Sequence, residues 1–485
     1  MRNTFVISCP IDTYSGYGSR SRDFVKALYE LDRFDIKILP QRWGNCSWGF
    51  INDNMDEWGF LNSLLVKEIT QQPNIWCQIT VPNEFQKVGK YNIGLTAGIE
   101  TTVCAPQWIE GLNKMDLNLV SSEHSKKVFE TTGFEQKDSN GQKIGIVKLE
   151  KPVMVLMEGA NTEIYKPLKR SELKYTELFK DINSIPEDFA FLFMGHWMQG
   201  DVGEDRKNVG LLVKMFYEMY KNKKKTPALI LKSSIVNPSY VNRREIIKKL
   251  DAIKKSVDAK RLPNVYLLHG ELTDEEINEL YNHPKVKSMV SLTKGEGFGR
   301  PLLEFSLVNK PVIAAGWAGQ MDFLNPEFTG LVDGITKPIH KSAQIKDLLI
   351  KDSQWFSPNH QSSANLIHNV FDNYKEWKVK GKRQGYYDRT NFSFNNMKEI
   401  LGNILDNSLP QFRKQVSLNL PKLKKAGKSS PSSNGLKLPK LKKVGSKSSS
   451  PVGGIQLPKL KKVNTNNTSP QDVTKLKLPK LKKVK

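Results

Sequence analysis

A glycine-rich turn set between an apolar strand and a helix constrains this chain more than any other segment. The run Gly295-Glu296-Gly297-Phe298-Gly299-Arg300-Pro301-Leu302-Leu303-Glu304 follows Ser288–Thr293 (SMVSLT), which reads as a strand. Pro301–Val308 reads as a helix and Pro311–Ala315 (PVIAA) as the next strand. Strand, turn, helix and strand in that order predict a parallel α/β sheet. Unpaired N–H groups and the helix dipole point at the turn and make it an anion site. The two carboxylates, Glu296 and Glu304, cannot themselves ligate a phosphate. They suit a neighbouring role, accepting hydrogen bonds from sugar or ribose hydroxyls.

The same alternation recurs along most of the chain. Strands are expected at Thr4–Cys9, Phe34–Leu39, Ile75–Val81, Tyr91–Ala97, Leu117–Val120 and Val153–Met157, with a helix at Arg20–Leu31 and a polar insertion over 135–150. A second set is expected at Phe189–Met194, Ala228–Lys232, Val265–Leu268, Ser288–Leu292 and Val312–Ala315, with a helix over Tyr240–Val257. The fold class is therefore α/β, with two doubly wound, Rossmann-like domains over 1–160 and 161–362. Ligands of such sheets bind where the carboxyl ends of the strands face a cleft. Residues 363–412 read as helices and 413–485 as a separate tail.

Charge separates the tail from the rest. The formal charge is +24, yet residues 413–485 hold 20 of the 74 Lys and Arg and one of the 50 acids, Asp472. Residues 1–412 are nearly balanced, so the basic character belongs to the tail and does not mark the folded part as a nucleic-acid protein. The tail repeats LNLPKLKKAG, LKLPKLKKVG, IQLPKLKKVN and LKLPKLKKVK, starting at 418, 436, 455 and 476, between Ser-, Gly-, Asn- and Pro-rich spacers. Each unit is short and broken by Pro, and the tract is highly charged, so it is expected to be disordered when free. Four copies suit multivalent docking. Anionic membrane surfaces, nucleic acid and a protein groove paired at its edge remain open as partners. Cys9, Cys46, Cys77 and Cys104 show no metal-like spacing and fit buried positions in a reducing compartment. The N-terminus lacks a signal-peptide core and no run approaches 18 apolar residues, so a cytoplasmic protein, peripheral to a membrane at most, is expected.

The paired acids and their surroundings resemble the Glu-x7-Glu motif of retaining nucleotide-sugar glycosyltransferases with the GT-B fold, glycosyltransferase family 4. His269-Gly270, the acidic helix Thr273–His283, GEGFGRPLLE and NKPVIAA follow in that family's order. The resemblance covers roughly residues 1–407. It implies two facing Rossmann-like domains, the second binding the nucleotide sugar, and C-terminal helices that cross back to the first. It implies that Glu296 contacts the donor sugar and Glu304 the ribose, with Gly297, Phe298 and Gly299 completing the loop. Arg206 and Lys207 would neutralise the diphosphate, although His196 stands where the family has an Arg after the strand glycine. Lys232 would point into the cleft, and the backbone of His269 and Gly270 would read the base. In the first domain, Gly16 and Gly18 would let the backbone approach the donor or acceptor. Glu100 would orient the acceptor or take its proton. Glu158-Gly159-Ala160-Asn161 would form the hinge. The implied chemistry needs no metal and no cofactor beyond the nucleoside diphosphate sugar. The acceptor is a hydroxyl on a glycan, a glycolipid or a modified DNA base. A second reading is a non-catalytic sugar- or nucleic-acid-binding protein on the same scaffold; a third, a GT-B phosphorylase or epimerase, fits less well because no pyridoxal-binding Lys context is visible.

Overall fold

The computed structural model describes residues 2–44, 46–137, 140, 142–412 and 482–483. The expected disorder of the basic tail and its repeats falls outside these residues, apart from Lys482 and Lys483. The first sheet begins with β1 (Thr4–Cys9), helix α1 (Gly16–Leu31) and β2 (Asp35–Pro40). Two short helices, α2 (Phe50–Asp53) and α3 (Met55–Trp58), lead to β3 (Ile75–Ile79) and β4 (Tyr91–Thr96). Then come α4 (Pro106–Asn113), β5 (Leu117–Val120) and α5 (Glu123–Thr131). The polar insertion is an antiparallel hairpin, β6 (Gly133–Lys137) with β7 (Lys143–Lys148), ahead of β8 (Val153–Val155). Ile144 and Ile146, two residues apart in β7, supply the strand period that the Gly and polar residues around them obscure.

The second sheet follows helix α6 (Glu177–Asn183). It runs through β9 (Ala190–Met194), α7 (Val209–Tyr220), β10 (Ala228–Lys232), α8 (Tyr240–Lys255) and β11 (Val265–Leu268). It continues with α9 (Asp274–Asn282), β12 (Val286–Ser291), α10 (Arg300–Ser306), β13 (Val312–Ala315) and β14 (Gly330–Val332). A hairpin of β15 (Gly334–Pro338) and β16 (Gln354–Pro358) precedes α11 (His360–Asp372), α12 (Tyr374–Asn391) and α13 (Phe394–Ser408). A two-residue strand β17 (Lys482–Lys483) lies antiparallel along β11. Helix α9 shows why these elements form where they do. Thr273 caps it, Glu276 reaches back to close a capping box, and Asp274, Glu275 and Glu276 sit at the positive end of the dipole.

The six strands of the first sheet are parallel in the order β2-β1-β3-β4-β5-β8. The six principal strands of the second are parallel in the order β14-β13-β12-β9-β10-β11. Both are doubly wound and the whole is the GT-B architecture. The second has the Rossmann order, whereas the first has the flavodoxin-like one. Strand order reverses between β1 and β3 in one sheet and between β9 and β12 in the other. One apolar core runs from Phe5, Ile7 and Phe24 through Tyr165, Tyr281, Phe298 and Phe305 to Met397 and Leu401, and so joins the two sheets. The chain returns to the first sheet through α13. Lys398 pairs with Glu30 at 2.7 Å and Arg33 with Asp406 at 2.6 Å, while Ala160 exchanges backbone hydrogen bonds with Phe392 and Phe394. Cys9, Cys77 and Cys104 are buried, Cys46 is half-buried, and all four are free thiols. No described helix is long and apolar enough to cross a membrane.

Candidate active site

The reversal point of the second sheet gathers the charged residues. The loop after β9 carries Arg206 and Lys207, and the loop after β12 carries Glu296. Backbone bonds tie these loops together, with the Lys294 N–H donating to the Arg206 carbonyl at 2.7 Å. The Arg206 guanidinium donates to the Gly295 carbonyl at 2.8 Å. Lys207 Nζ lies 2.6 Å from both Oε1 and Oε2 of Glu296. Arg206 Nη1 stands 3.4 Å from Glu296 Oε2 and 3.2 Å from Glu100 Oε1. Glu100 arrives from the loop after β4 in the first sheet. Two cations and two carboxylates, largely removed from water, therefore meet where the sheets face each other.

Their environment tunes them against one another. Burial pushes the Glu296 carboxyl up, but Lys207 and Arg206 overcome this and hold it below the ordinary carboxylate value. Burial pulls the Lys207 ammonium down, and Arg206 beside it adds to the effect against the pull of Glu296. Burial also works against the Arg206 cation, yet Glu100 and Glu296 keep it above its usual value.

Glu304 occupies a second cluster nearby. Arg300 Nε donates to Glu304 Oε1 at 2.7 Å, one helical turn along α10, and its Nη1 contacts Asp23 on α1 of the first sheet. Burial raises the Glu304 carboxyl to about 7 against the opposing Arg300, with Asp274 and Asp23 adding to the rise.

Other expected site residues make the following local contacts. Gly16 and Gly18 belong to the first turn of α1, which starts four residues before the expected Arg20. Ser15 Oγ caps that turn by accepting from the Gly18 N–H at 2.9 Å. A Cβ on Gly18 would sit 2.2 Å from the Thr13 carbonyl oxygen, so this glycine serves the turn itself, whereas Gly16 faces open space. Lys232 donates to the Gly270 carbonyl at 2.6 Å, and the ring nitrogens of His269 face the Ser233 and Ser239 carbonyls at 2.9 and 3.1 Å. These bonds tie together the loops that follow β10 and β11. The Phe298 ring is core, 5.0 Å from Phe323. Gly299 caps α10 at φ 104°.

Gly295 and Gly297 have a sharper reason to be glycine. A Cβ on Gly295 would lie 2.1 Å from the Glu100 carbonyl oxygen, and one on Gly297 2.2 Å from that of Ala97. The loop after β12 is thus pressed against the first sheet's own loop, and glycine allows the two backbones to approach. Arg300, Asp23 and Tyr17 escaped the sequence reading. Tyr17 shares a 2.9 Å hydrogen bond with Thr96 Oγ1 and accepts from the Ala97 N–H at 3.2 Å, fixing the strand end that leads to Glu100. The available signal for Arg300 was its spacing four residues before Glu304. Among the described residues no cluster of His, Cys, Asp and Glu is arranged to hold a metal ion.

Residues 200–365 match the family model described as glycosyl transferases group 1. That span holds Arg206, Lys207, Lys232, His269, Glu296, Arg300 and Glu304. No curated protein sequence matches the chain. Among solved structures, a glycosyltransferase from Rickettsia africae is similar at TM-score 0.57 and 15% identity, covering 85% of this chain and 100% of its own. HepE of Anabaena, in complex with UDP-glucose, is similar at TM-score 0.54 and 12% identity over 84% of this chain and 100% of its own. Sucrose-phosphate synthase from Thermosynechococcus elongatus is similar at TM-score 0.54 and 10% identity over 84% and 99%. At these identities the likeness is one of fold. Taken with the family model, it makes this chain a transferase enzyme that carries a glycosyltransferase group 1 domain on a GT-B architecture.

Proposed function

We propose that the chain transfers a sugar from a nucleoside diphosphate sugar to an acceptor hydroxyl, with retention at the anomeric carbon and without a metal, as family 4 enzymes do. The observation that carries this reading is the pairing of Lys207 with Glu296 beside Arg206 and Glu100. When a donor enters, hydroxyls of its sugar donate to Glu296, and the Lys207 ammonium turns to the diphosphate. Arg206 and Lys207 then face the charge that grows on the leaving phosphate. Fixed cations in a site shielded from water lower the cost of that charge.

Retaining enzymes of the family that the chain resembles use no evident protein nucleophile, and in this reading the donor's own phosphate assists. The bond from the anomeric carbon to the phosphate oxygen breaks, and the acceptor oxygen bonds to the same face of that carbon. The acceptor proton passes to the departing phosphate oxygen. Glu100 orients the acceptor hydroxyl and restrains Arg206. HepE binds UDP-glucose, which makes UDP-hexoses the first donors to try. Glycan, glycolipid and DNA acceptors are separate arms of the same assay.

The test is thermal stabilisation and slow hydrolysis with UDP-, GDP- and ADP-sugars in the presence of a chelator, followed by NMR of the product anomer. A stabilising donor and a product of unchanged anomeric configuration are expected. Folded protein that responds to no donor, or an inverted product, overturns the reading.

A further inference from the structure

We propose that Arg300 is a positioning residue that couples ribose binding at Glu304 to closure of the two sheets, with Asp23 as its partner across the cleft. The inference rests on the reading of Glu304 as a donor-binding residue. Its basis is geometric. Arg300 belongs to α10 of the second sheet, yet one of its nitrogens contacts Asp23 on α1 of the first, while another holds Glu304 at 2.7 Å. The side chains of Arg300, Asp23 and Glu304 are 19%, 11% and 8% exposed, so the guanidinium joins two carboxylates from opposite sheets in a site nearly free of water.

Charge around this point is one-sided. Glu304 faces Arg300 on its own helix, Asp274 at the start of α9 and Asp23 on α1, with the Tyr165 and Tyr281 hydroxyls alongside. Glu158, in the chain after β8, and Arg20 on α1 belong to the same set. Arg20 is committed to the Leu156 and Met157 carbonyls. Arg22, next to Asp23 on α1, donates to the Ile11 and Thr13 carbonyls. Four carboxyls thus share three guanidiniums, and of the three Arg300 is the one that contacts a carboxylate from each sheet. Separating the sheets would break the Asp23–Arg300 ion pair and leave Asp23 with the charges of Arg20 and Arg22 on its own helix. Arg300 engages Glu304 Oε1, which leaves Oε2 as the acceptor for ribose hydroxyls. A ribose that favours the ionised carboxylate strengthens Glu304–Arg300, and the same guanidinium draws in Asp23. Binding and closure are linked through one side chain, and such coupling is reciprocal.

The experiment compares full-length wild type, Asp23→Asn and Arg300→Lys, using UDP as the probe. Radius of gyration by solution scattering, UDP affinity by calorimetry, and the pH dependence of donor kcat/KM are measured. Asp23→Asn is expected to expand without UDP and recover its compactness with it. Its kcat should fall by about tenfold and its UDP affinity by a smaller factor, within the usual range of coupling energies. Arg300→Lys should weaken UDP by about tenfold or more and shift the acid limb of kcat/KM to higher pH, because the carboxyl loses the delocalised cation that opposes its protonation. Asp23→Asn should not move that limb upward, since it removes a neighbouring negative charge. If Arg300→Lys fails to fold, compactness and kcat of Asp23→Asn decide alone. Wild type that binds UDP alongside variants equal to it in compactness, affinity and pH limb overturns the coupling and leaves the function standing. Wild type that binds no nucleotide removes both.

Discussion

Lys207 holds its ammonium 2.6 Å from each carboxylate oxygen of Glu296, so one cation grips both acceptors of the acid expected to bind the donor sugar. Arg206 stands behind this pair and links it to Glu100 from the other sheet. Replacing Glu296 by Ala leaves two largely buried cations with Glu100 as the carboxylate still in contact with Arg206. The expected loss of stability is about 3–5 kcal/mol, the range for breaking a buried pair from one side. Glu296→Gln keeps the shape and should cost less stability while lowering turnover by roughly 10²–10³-fold, as for removal of one preorganised electrostatic group. The pH dependence has a definite sign. The folded Glu296 carboxyl lies below its ordinary value of 4.5, so its contribution is present above that pH and is lost as pH falls through the folded value. Melting curves of wild type and Glu296→Gln should differ most above pH 5 and converge in acid.

Gly297→Ala tests whether the glycines of the loop serve contact between the sheets. The new Cβ would fall 2.2 Å from the Ala97 carbonyl oxygen, which belongs to backbone and cannot rotate away. The second sheet and its core do not pass through this contact, so the variant should fold and still bind nucleotide. It should hold the sheets apart, with a larger radius of gyration and a kcat reduced by about 10²-fold, the scale expected from misplacing a reacting group by an ångström. Unchanged scattering and turnover would show that the loop has room to move.

The sequence made the second sheet and the donor loop legible because three signals agreed there. Ala228–Lys232, Val265–Leu268 and Val312–Ala315 are short apolar runs whose bounds match the strands. Thr273 and Glu276 frame α9 as a capping box. The Gly-rich turn then sits at a strand's carboxyl end. What stayed hidden depends on chain segments distant in sequence. Nothing local in Asp23 indicates that it meets Arg300, a contact made only when two sheets face each other. The glycines of Ser15–Arg20 suggested a loop, because glycine is a poor helix former; Ser15 capping and the close Thr13 carbonyl make that segment the first turn of α1. Lys232 carries a side chain suited to a ligand, yet it donates to the Gly270 carbonyl, which only the folded chain brings near.

Gly385→Ala in α12 separates helix propensity from packing. In an exposed helix this change stabilises by about 0.5–1 kcal/mol. Here the Cβ would lie 2.6 Å from the Ser306 carbonyl oxygen and 2.4 Å from Asn309 Oδ1, because α12 is laid directly on the end of α10. The carbonyl cannot yield without moving the helix that carries Glu304. Destabilisation by about 1–3 kcal/mol is expected, as for other overpacked interiors. Denaturant unfolding would read it, and a gain in stability would mean that α12 rests more loosely than its contacts indicate.

Asp388 supplies a second pH test with the opposite sign. It lies on α12, buried, and its Oδ2 accepts from Ser306 Oγ of α10 and from Gln384 Nε2 at 2.8 Å, while Oδ1 has no partner. Burial raises its carboxyl to about 7 from an ordinary 3.8, against Ser306, Gln384 and Arg389. The folded state therefore holds a proton that the unfolded chain releases between those values, and stability falls as pH rises through that window. Asp388→Asn keeps an oxygen to accept from Ser306 and Gln384 and removes the titration. The variant should match wild type near pH 4 and exceed it by about 1–3 kcal/mol at pH 8, given roughly 1.4 kcal/mol for each pH unit of displacement and partial relief by the two donors. Chemical denaturation at both pH values measures the difference. A variant less stable than wild type at pH 8 would mean that the carboxylate is ionised and held by its donors, and that α12 grips α10 through a charge.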